Sequence, residues 1–160
     1  FFAIHAVLCG GTGLNIRTIN HHFSVSGPLT KDDVHTLARQ GVTTLINGRP
    51  DFEEPNQVPD AILRVWAREA ALEYHFIPVV SGHYSAQDVA KFGRILLGAT
   101  GRVHAICRTG TRVLHLWALA RWEQGLNQHE IKQAGDQAGV DLDGVLLTYQ
   151  NRISQSQNLH

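Results

Sequence analysis

Hydrophobic and polar positions along the chain follow two alternating rhythms. Short apolar stretches rich in β-branched residues, VTTLIN (42–47), EYHFIPVV (73–80) and RVHAI (102–106), read as strands. Longer stretches with apolar residues at helical spacing lie between and after them. TKDDVHTLARQG (30–41) opens with Thr30 and Asp33 in capping-box spacing and stops at Gly41. PDAILRVWAREAAL (59–72) places Ile62, Leu63, Val65, Trp66 and Ala70 on one expected core face. Ser85 with Asp88 caps SAQDVAKFGRILLGA (85–99), and Asn127 with Glu130 caps QHEIKQAGDQAG (128–139). RVLHLWALARWEQ (112–124) is a strongly apolar helix ending at Gly125, and the segment from Asp141 is helical before fraying into SQSQNLH. Ahead of all these, NIRTINHHFSVSG (15–27) suggests a short strand pair closed by Gly27 and Pro28.

Strands alternating with helices predict an α/β fold, with a central, mostly parallel sheet of about four to five strands flanked by helices. The expected division is one domain over 15–150, an extra segment over 1–14 and a polar tail over 151–160. The opening FFAIHAVLCGGTG (1–13) lacks the basic region of a secretory leader. The chain contains no methionine, and a TTG start codon would be written as leucine, so its natural beginning is expected near Leu14.

Composition narrows the partners. Fourteen basic residues balance fourteen acidic ones, so no overall field recruits nucleic acid or an anionic membrane. No apolar run reaches membrane-spanning length. Cys9 and Cys107 are too few for a disulfide framework, which predicts a reduced, cytoplasmic chain. Ten histidines invite a metal, but the chain has neither an H-x3-H pair of histidines nor a C-x2-C pair of cysteines. No metal and no cofactor is expected.

The chemistry concentrates at VHAICRTGTRVLHLWALA (103–120): a strand, a tight polar loop, then an uncharged helix. Ligands of parallel sheets bind at the carboxyl ends of the strands, and Cys107 stands at that end of what reads as the central strand. The helix after the loop aims its unpaired amides and positive dipole end back toward the sulfur. With Arg112 closing the loop, this field favours a thiolate and any anion carried on it. Gly110 lets successive amides converge, Thr109 and Thr111 add hydroxyls, and Arg108 adds a second cation. His104 falls on the strand face opposite Cys107, and His115 lies one turn into the helix.

CRTGTR after VHAI, together with LINGRPDFEE and SGPLTKDDVHTLARQGVTTLI, resembles the phosphatase-like domain of the β-lactamase-hydrolase-like proteins over roughly residues 15–140. The resemblance implies a fold like that of dual-specificity tyrosine phosphatases, a catalytic Cys107 and an anion-binding Arg112. It also allows a functional association with a metallo-β-lactamase-type protein, whose H-x-H-x-D run is missing from this chain.

Three features separate this loop from a tyrosine-phosphatase loop. It is C-x4-R rather than C-x5-R, a length that resembles rhodanese-type sulfurtransferases. A phosphoryl group presents three oxygens and needs a wide ring of donors, whereas a persulfide presents one anionic sulfur. The aspartic acid that protonates a leaving oxygen in such phosphatases is missing from Ser81-Gly82-His83, leaving His83 or Asp51 as substitutes. Val113 follows the arginine where the family more often has serine. The expectation is a sulfurtransferase carrying sulfane sulfur on Cys107, with thiosulfate or a persulfide as donor. A phosphatase acting on a phosphoester through phospho-Cys107 is the alternative, and an inactive anion-binding module the third. Arg49, from NGRPDFEE, is placed to bind an anionic substrate, with Asp51 or Glu53 orienting Arg112.

Overall fold

The computed structural model describes residues 14–158, the side chain of Asn158 excepted. Cys9 and the proposed upstream segment lie outside the described residues.

Five strands form one sheet: β1 (Arg17–Thr18), β2 (Phe23–Ser26), β3 (Val42–Asn47), β4 (Glu73–Phe76) and β5 (Arg102–Ile106). Their order is β1-β2-β5-β3-β4, so β5 is central. The pairs β2–β5, β5–β3 and β3–β4 are parallel, and β1 adds an antiparallel edge. β4 is shorter than its apolar run suggested. Beyond Phe76 the chain stays extended, its Ile77 and Val79 amides bonding to the carbonyls of Asn47 and Gly48. Pro78 between them has no N–H to offer a ladder.

Helices α1 (Lys31–Arg39) and α2 (Asp60–Glu69) cover one face of the sheet. Helices α3 (Ala86–Gly98), α4 (Thr111–Glu123), α5 (Gln128–Gln137) and α6 (Asp143–Asn158) contribute to the core on the other. The capping box on α1 is complete: the Asp33 amide donates to Thr30 Oγ1 at 3.1 Å, and the Thr30 amide to Asp33 Oδ2 at 2.8 Å. The core face of α2 differs from the expected one. Leu63 and Ala67 are buried, whereas Ile62 and Val65 are 42% and 43% exposed. Positions 63 and 67 share a stripe four residues apart; at about 100° per residue, 62 lies roughly a third of a turn from it and 65 nearly opposite.

α4 runs through the middle of its layer. Val113, Leu114, Leu116, Trp117, Ala118, Leu119 and Ala120 are all buried, and a helix apolar all round belongs in a core. Trp117 stacks on Phe23 with centroids 6.0 Å apart, and Phe92 meets Phe23 edge-on at 5.8 Å. α6 carries the fold past residue 150, where a polar tail was expected. Ile153 packs against the core, and Arg152 donates to the Tyr84 carbonyl and lies over the Tyr149 ring. Among the described residues no helix is long and apolar enough to cross a membrane.

Candidate functional site

β5 delivers its residues alternately to the two faces of the sheet. Val103, Ala105 and Cys107 enter the core on the α4 side, and Ile106 the core on the α1–α2 side. Cys107 is fully buried, and its amide donates to the Ser26 carbonyl on β2. The loop beyond it turns sharply at Gly110, whose φ of +92° is left-handed and which serves as the N-cap of α4. The Gly110 amide thereby donates to Cys107 Sγ at 3.1 Å. A Cβ at Gly110 would sit 2.9 Å from Arg17 Nη2 and 3.3 Å from Val25 Cγ2, so the turn excludes larger residues by space as well as by conformation. Among the described residues, the amides of Arg108, Thr109, Arg112 and Val113 meet no hydrogen-bond acceptor. Loop and helix end thus keep a set of free donors around the sulfur's end of the strand. Thr109 and Thr111 bond to each other, Oγ1 to Oγ1, at 3.2 Å.

Arg112 is fixed end-on. Its Nη1 donates to Glu53 Oε2 and to the Val79 carbonyl, each at 2.7 Å, and its Nη2 to Glu53 Oε1 at 2.9 Å. The Nε–H and the second Nη2–H remain, two parallel donors along one edge of the guanidinium. Glu53 also accepts from Arg49 Nε at 2.9 Å. The Arg112 hydrogen bond is the largest influence on the Glu53 carboxyl. It outweighs burial and, with Arg49, holds the group below the usual carboxylate range. The same bond raises Arg112 above its ordinary value. Glu54 serves the outer rim, 2.9 Å from Arg108 Nε and 3.0 Å from Arg49 Nη2, the latter an ion pair not aligned as a hydrogen bond.

The expected accessory residues therefore divide. Arg49 is brought to the site but buried, its charge directed at Glu53 and Glu54. Glu53, rather than Asp51, orients Arg112. Asp51 turns to α2, where its Oδ1 accepts from the Asp60 amide at 2.8 Å and supplies the cap that Pro59 lacks. His83 stands on an exposed turn and bonds through its backbone to the Val80 carbonyl. Arg108 is on the rim, with a side chain 66% exposed.

Two parts of the site had no signal in sequence order. Arg17 on β1 donates through Nη2 to the Thr109 carbonyl at 2.7 Å and through Nη1 to the Ala138 carbonyl at 3.0 Å, tying the cysteine loop to the end of α5. Tyr84, next to the position searched for an acid, is buried, and its hydroxyl lies 2.8 Å from His115 Nδ1. Under the sheet, His104 is fully buried between Ser24 Oγ at 2.7 Å from Nδ1 and Ser26 Oγ at 2.8 Å from Nε2. Ser26 spends its proton on the Gly27 carbonyl, so it accepts from Nε2–H, and Nδ1 accepts from Ser24. Burial drives the His104 pKa down to about 3, and the ring stays neutral. Among the described residues no group of three or more His, Cys, Asp or Glu side chains could hold a metal ion.

A buried cysteine at the end of the central parallel strand, a tight loop and an arginine in the first turn of a buried helix define a phosphatase-like protein of the tyrosine-phosphatase fold. The chain belongs to the family of the β-lactamase hydrolase-like protein, phosphatase-like domain, whose profile matches residues 15–124. It is 35% identical over 140 residues to a β-lactamase hydrolase-like protein of Xylella fastidiosa, an alignment covering 87% of this chain and 32% of that protein. The chain thus spans about a third of the length of the curated relatives it matches. Among solved structures, a candidate phosphatase from Neisseria meningitidis superposes with a TM-score of 0.72 at 33% identity, over 84% of this chain and 95% of that one. The phosphotyrosine complex of Pseudomonas aeruginosa TpbA shares the fold, with a TM-score of 0.56 at 19% identity over 87% and 92% of the two chains.

Proposed function

We propose that this protein transfers sulfane sulfur through Cys107. The observation that supports this most is the engagement of every carboxylate on the rim. Glu53 is ionised between Arg112 and Arg49, Glu54 pairs with Arg49 and Arg108, and Asp51 caps a helix. Hydrolysis of a phosphoester calls for an acid to protonate the departing alkoxide. Transfer from thiosulfate does not. The Cys107 thiolate attacks the outer sulfur, the S–S bond to the sulfonate sulfur breaks, and its electron pair leaves on sulfite. The persulfide's outer sulfur then rests among the loop amides beside Arg112. A thiol or cyanide attacks that sulfur, and the Cys107 thiolate is released. A low-molecular-weight persulfide serves equally as donor. Action beside a metallo-β-lactamase-type protein belongs to the same proposal, supported by the name and greater length of the curated relatives.

One observation favours a second reading, phosphoester hydrolysis through phospho-Cys107. The free Nε/Nη2 edge of Arg112 offers two parallel donors suited to two oxygens of one oxyanion. The Neisseria relative, described as a candidate phosphatase, points the same way.

The test is a parallel assay of the protein and Cys107→Ser with thiosulfate plus cyanide and with a chromogenic phosphate monoester. Sulfur transfer predicts thiocyanate formation that falls by about 10³-fold or more in the variant. Cysteine-dependent phosphate release without thiocyanate would replace the first reading by the second.

A further inference from the structure

Among the described residues six large apolar side chains are exposed, and four of them lie on helices. The other two, Phe52 and Val80, stand in the two segments that grip Arg112. Phe52 precedes Glu53, whose carboxylate accepts from both Nη groups of the guanidinium. Val80 follows Val79, whose carbonyl accepts from Nη1. Consecutive Cα atoms are about 3.8 Å apart, so each apolar side chain branches one residue away from a group that touches Arg112. Phe52 is 94% exposed and Val80 58%. The edge of Arg112 turned away from Glu53, with Nε–H and the second Nη2–H, is the one left for an oxyanion.

Phe52 is held in a conformation that its side chain opposes. Its φ is +68°, in the left-handed region where a bulky residue is a rare exception. Ala71, the other described non-glycine residue at positive φ, closes α2: its amide donates to the Arg68 carbonyl, and that of Leu72 to Ala67. Phe52 closes no helix. Gln57 fixes its turn from within, accepting from the Glu53 amide at 3.1 Å and donating to the Pro50 carbonyl at 2.7 Å. Glycine or asparagine would make that turn with less strain, and a ring so exposed gains almost nothing from burial. Val80 is also fixed, in an isolated bridge with His83 across a turn at Gly82, whose φ is +82°. Two apolar side chains on braced turns thus flank the anion site and take no part in either core.

We infer that Phe52 and Val80 form an apolar lip for the organic group of the sulfur donor, which makes the donor an organic thiosulfonate, R–SO2–S⁻, with R apolar and best aromatic. The inference rests on the sulfur-transfer reading and names its donor class. The sulfonyl oxygens lie on the free edge of Arg112, and R, bonded to the same sulfur, extends past the guanidinium to the lip. The Cys107 thiolate attacks the outer sulfur, the S–S bond breaks, and its electron pair leaves on the sulfinate R–SO2⁻. Cys107 keeps the outer sulfur as a persulfide anion, so charge is conserved and no proton, oxidant or reductant enters. Thiosulfate, with an oxygen in place of R, uses the arginine without the lip. A small molecule is the fitting occupant, because two side chains fall far short of the roughly 800 Å² per partner of a stable protein interface. An aromatic R gains most, since paired rings attract beyond the area they bury.

The test loads the protein, without acceptor, from benzenethiosulfonate, methanethiosulfonate or thiosulfate, and follows sulfinate or sulfite release together with the mass of the Cys107 peptide. Each rate is divided by that of glutathione with the same donor, which removes the donor's own reactivity. The wild type should prefer benzenethiosulfonate to methanethiosulfonate by about 10-fold. In Phe52→Gly, which suits the positive φ, the preference should fall to about 2-fold or less, and Val80→Ser should reduce it as well. Phe52→Asn, also suited to that φ, repeats the measurement with a stiffer turn and should lose the preference too. A wild type that treats the two thiosulfonates alike would overturn the lip and leave sulfur transfer standing. Variants that slow on every donor by one factor, with the preference intact, would overturn it too and reduce Phe52 to a support for Glu53. The absence of Cys107-dependent loading from any donor would remove the sulfur reading, and the lip with it.

Discussion

His104 shows how a single residue can shape the stability of the site's foundation. It sits on β5 three residues before Cys107, neutral and bonded to Ser24 and Ser26 of β2. In the unfolded chain a histidine binds a proton below its ordinary pKa of 6.5, whereas the native ring does so only near 3. Between those values the unfolded state holds the extra proton, so this residue lowers stability as pH falls. The slope is about 1.4 kcal/mol per pH unit from about pH 6 downward until the native ring protonates. Urea unfolding at a series of pH values should show that slope flattened in His104→Gln relative to the wild type. Equal slopes in the two proteins would mean that the native ring is protonated in the acid range. Arg17 and His104 act on the site through partners far away in the chain, 121 residues for Arg17 with Ala138 and 80 for His104 with Ser24. Neither role could be read from neighbours in sequence. The Cys107–Arg112 loop could be, because its cysteine, glycine and arginine lie within six consecutive positions at a strand-to-helix junction.

At the scale of elements, the site is a meeting of loops at the carboxyl ends of β5 and β3 with the segment that follows β4. The loop after β3 supplies Glu53, that after β5 supplies Arg112, and the extension of β4 supplies the Val79 carbonyl. Glu53 bridges Arg112 and Arg49, so replacing it with glutamine removes the charge shared by a half-buried and a buried cation. Glu53→Gln should lower kcat/KM by roughly 10- to 100-fold while Cys107 remains present and reactive, since small misplacement of a binding group costs that much. Steady-state kinetics with thiol labelling of Cys107 checks this, and unchanged kcat/KM would show that Arg112 holds its position without Glu53. The strand and helix sequence was legible because capping pairs such as Thr30 with Asp33, and glycine stops such as Gly41, punctuate it locally. The core face of α2 was not. Its apolar residues spread over more than half of the helix circumference, and only the packing of Leu63 and Ala67 against α1 and the sheet decides which of them face inward. The last turns of α6 are polar and carry no apolar stripe, yet Arg152 and Ile153 anchor them to α4's layer.

The whole molecule joins one phosphatase-like architecture to a cysteine loop one residue shorter than the tyrosine-phosphatase pattern. Central position in the sheet buries Cys107, the buried apolar run of α4 fixes the direction of the amides behind it, and the acidic rim is spent on arginines rather than on proton donation. Each of these follows from packing the chain as one layered unit, and together they predict a thiol that accepts sulfur. The most direct test is mass spectrometry of the intact protein and its Cys107 peptide after treatment with thiosulfate in the absence of acceptor. The account predicts one added sulfur atom on Cys107, removed by cyanide and not formed in Cys107→Ser. A Cys107 left unmodified by thiosulfate but carrying a phosphoryl group after treatment with a phosphate monoester would contradict it.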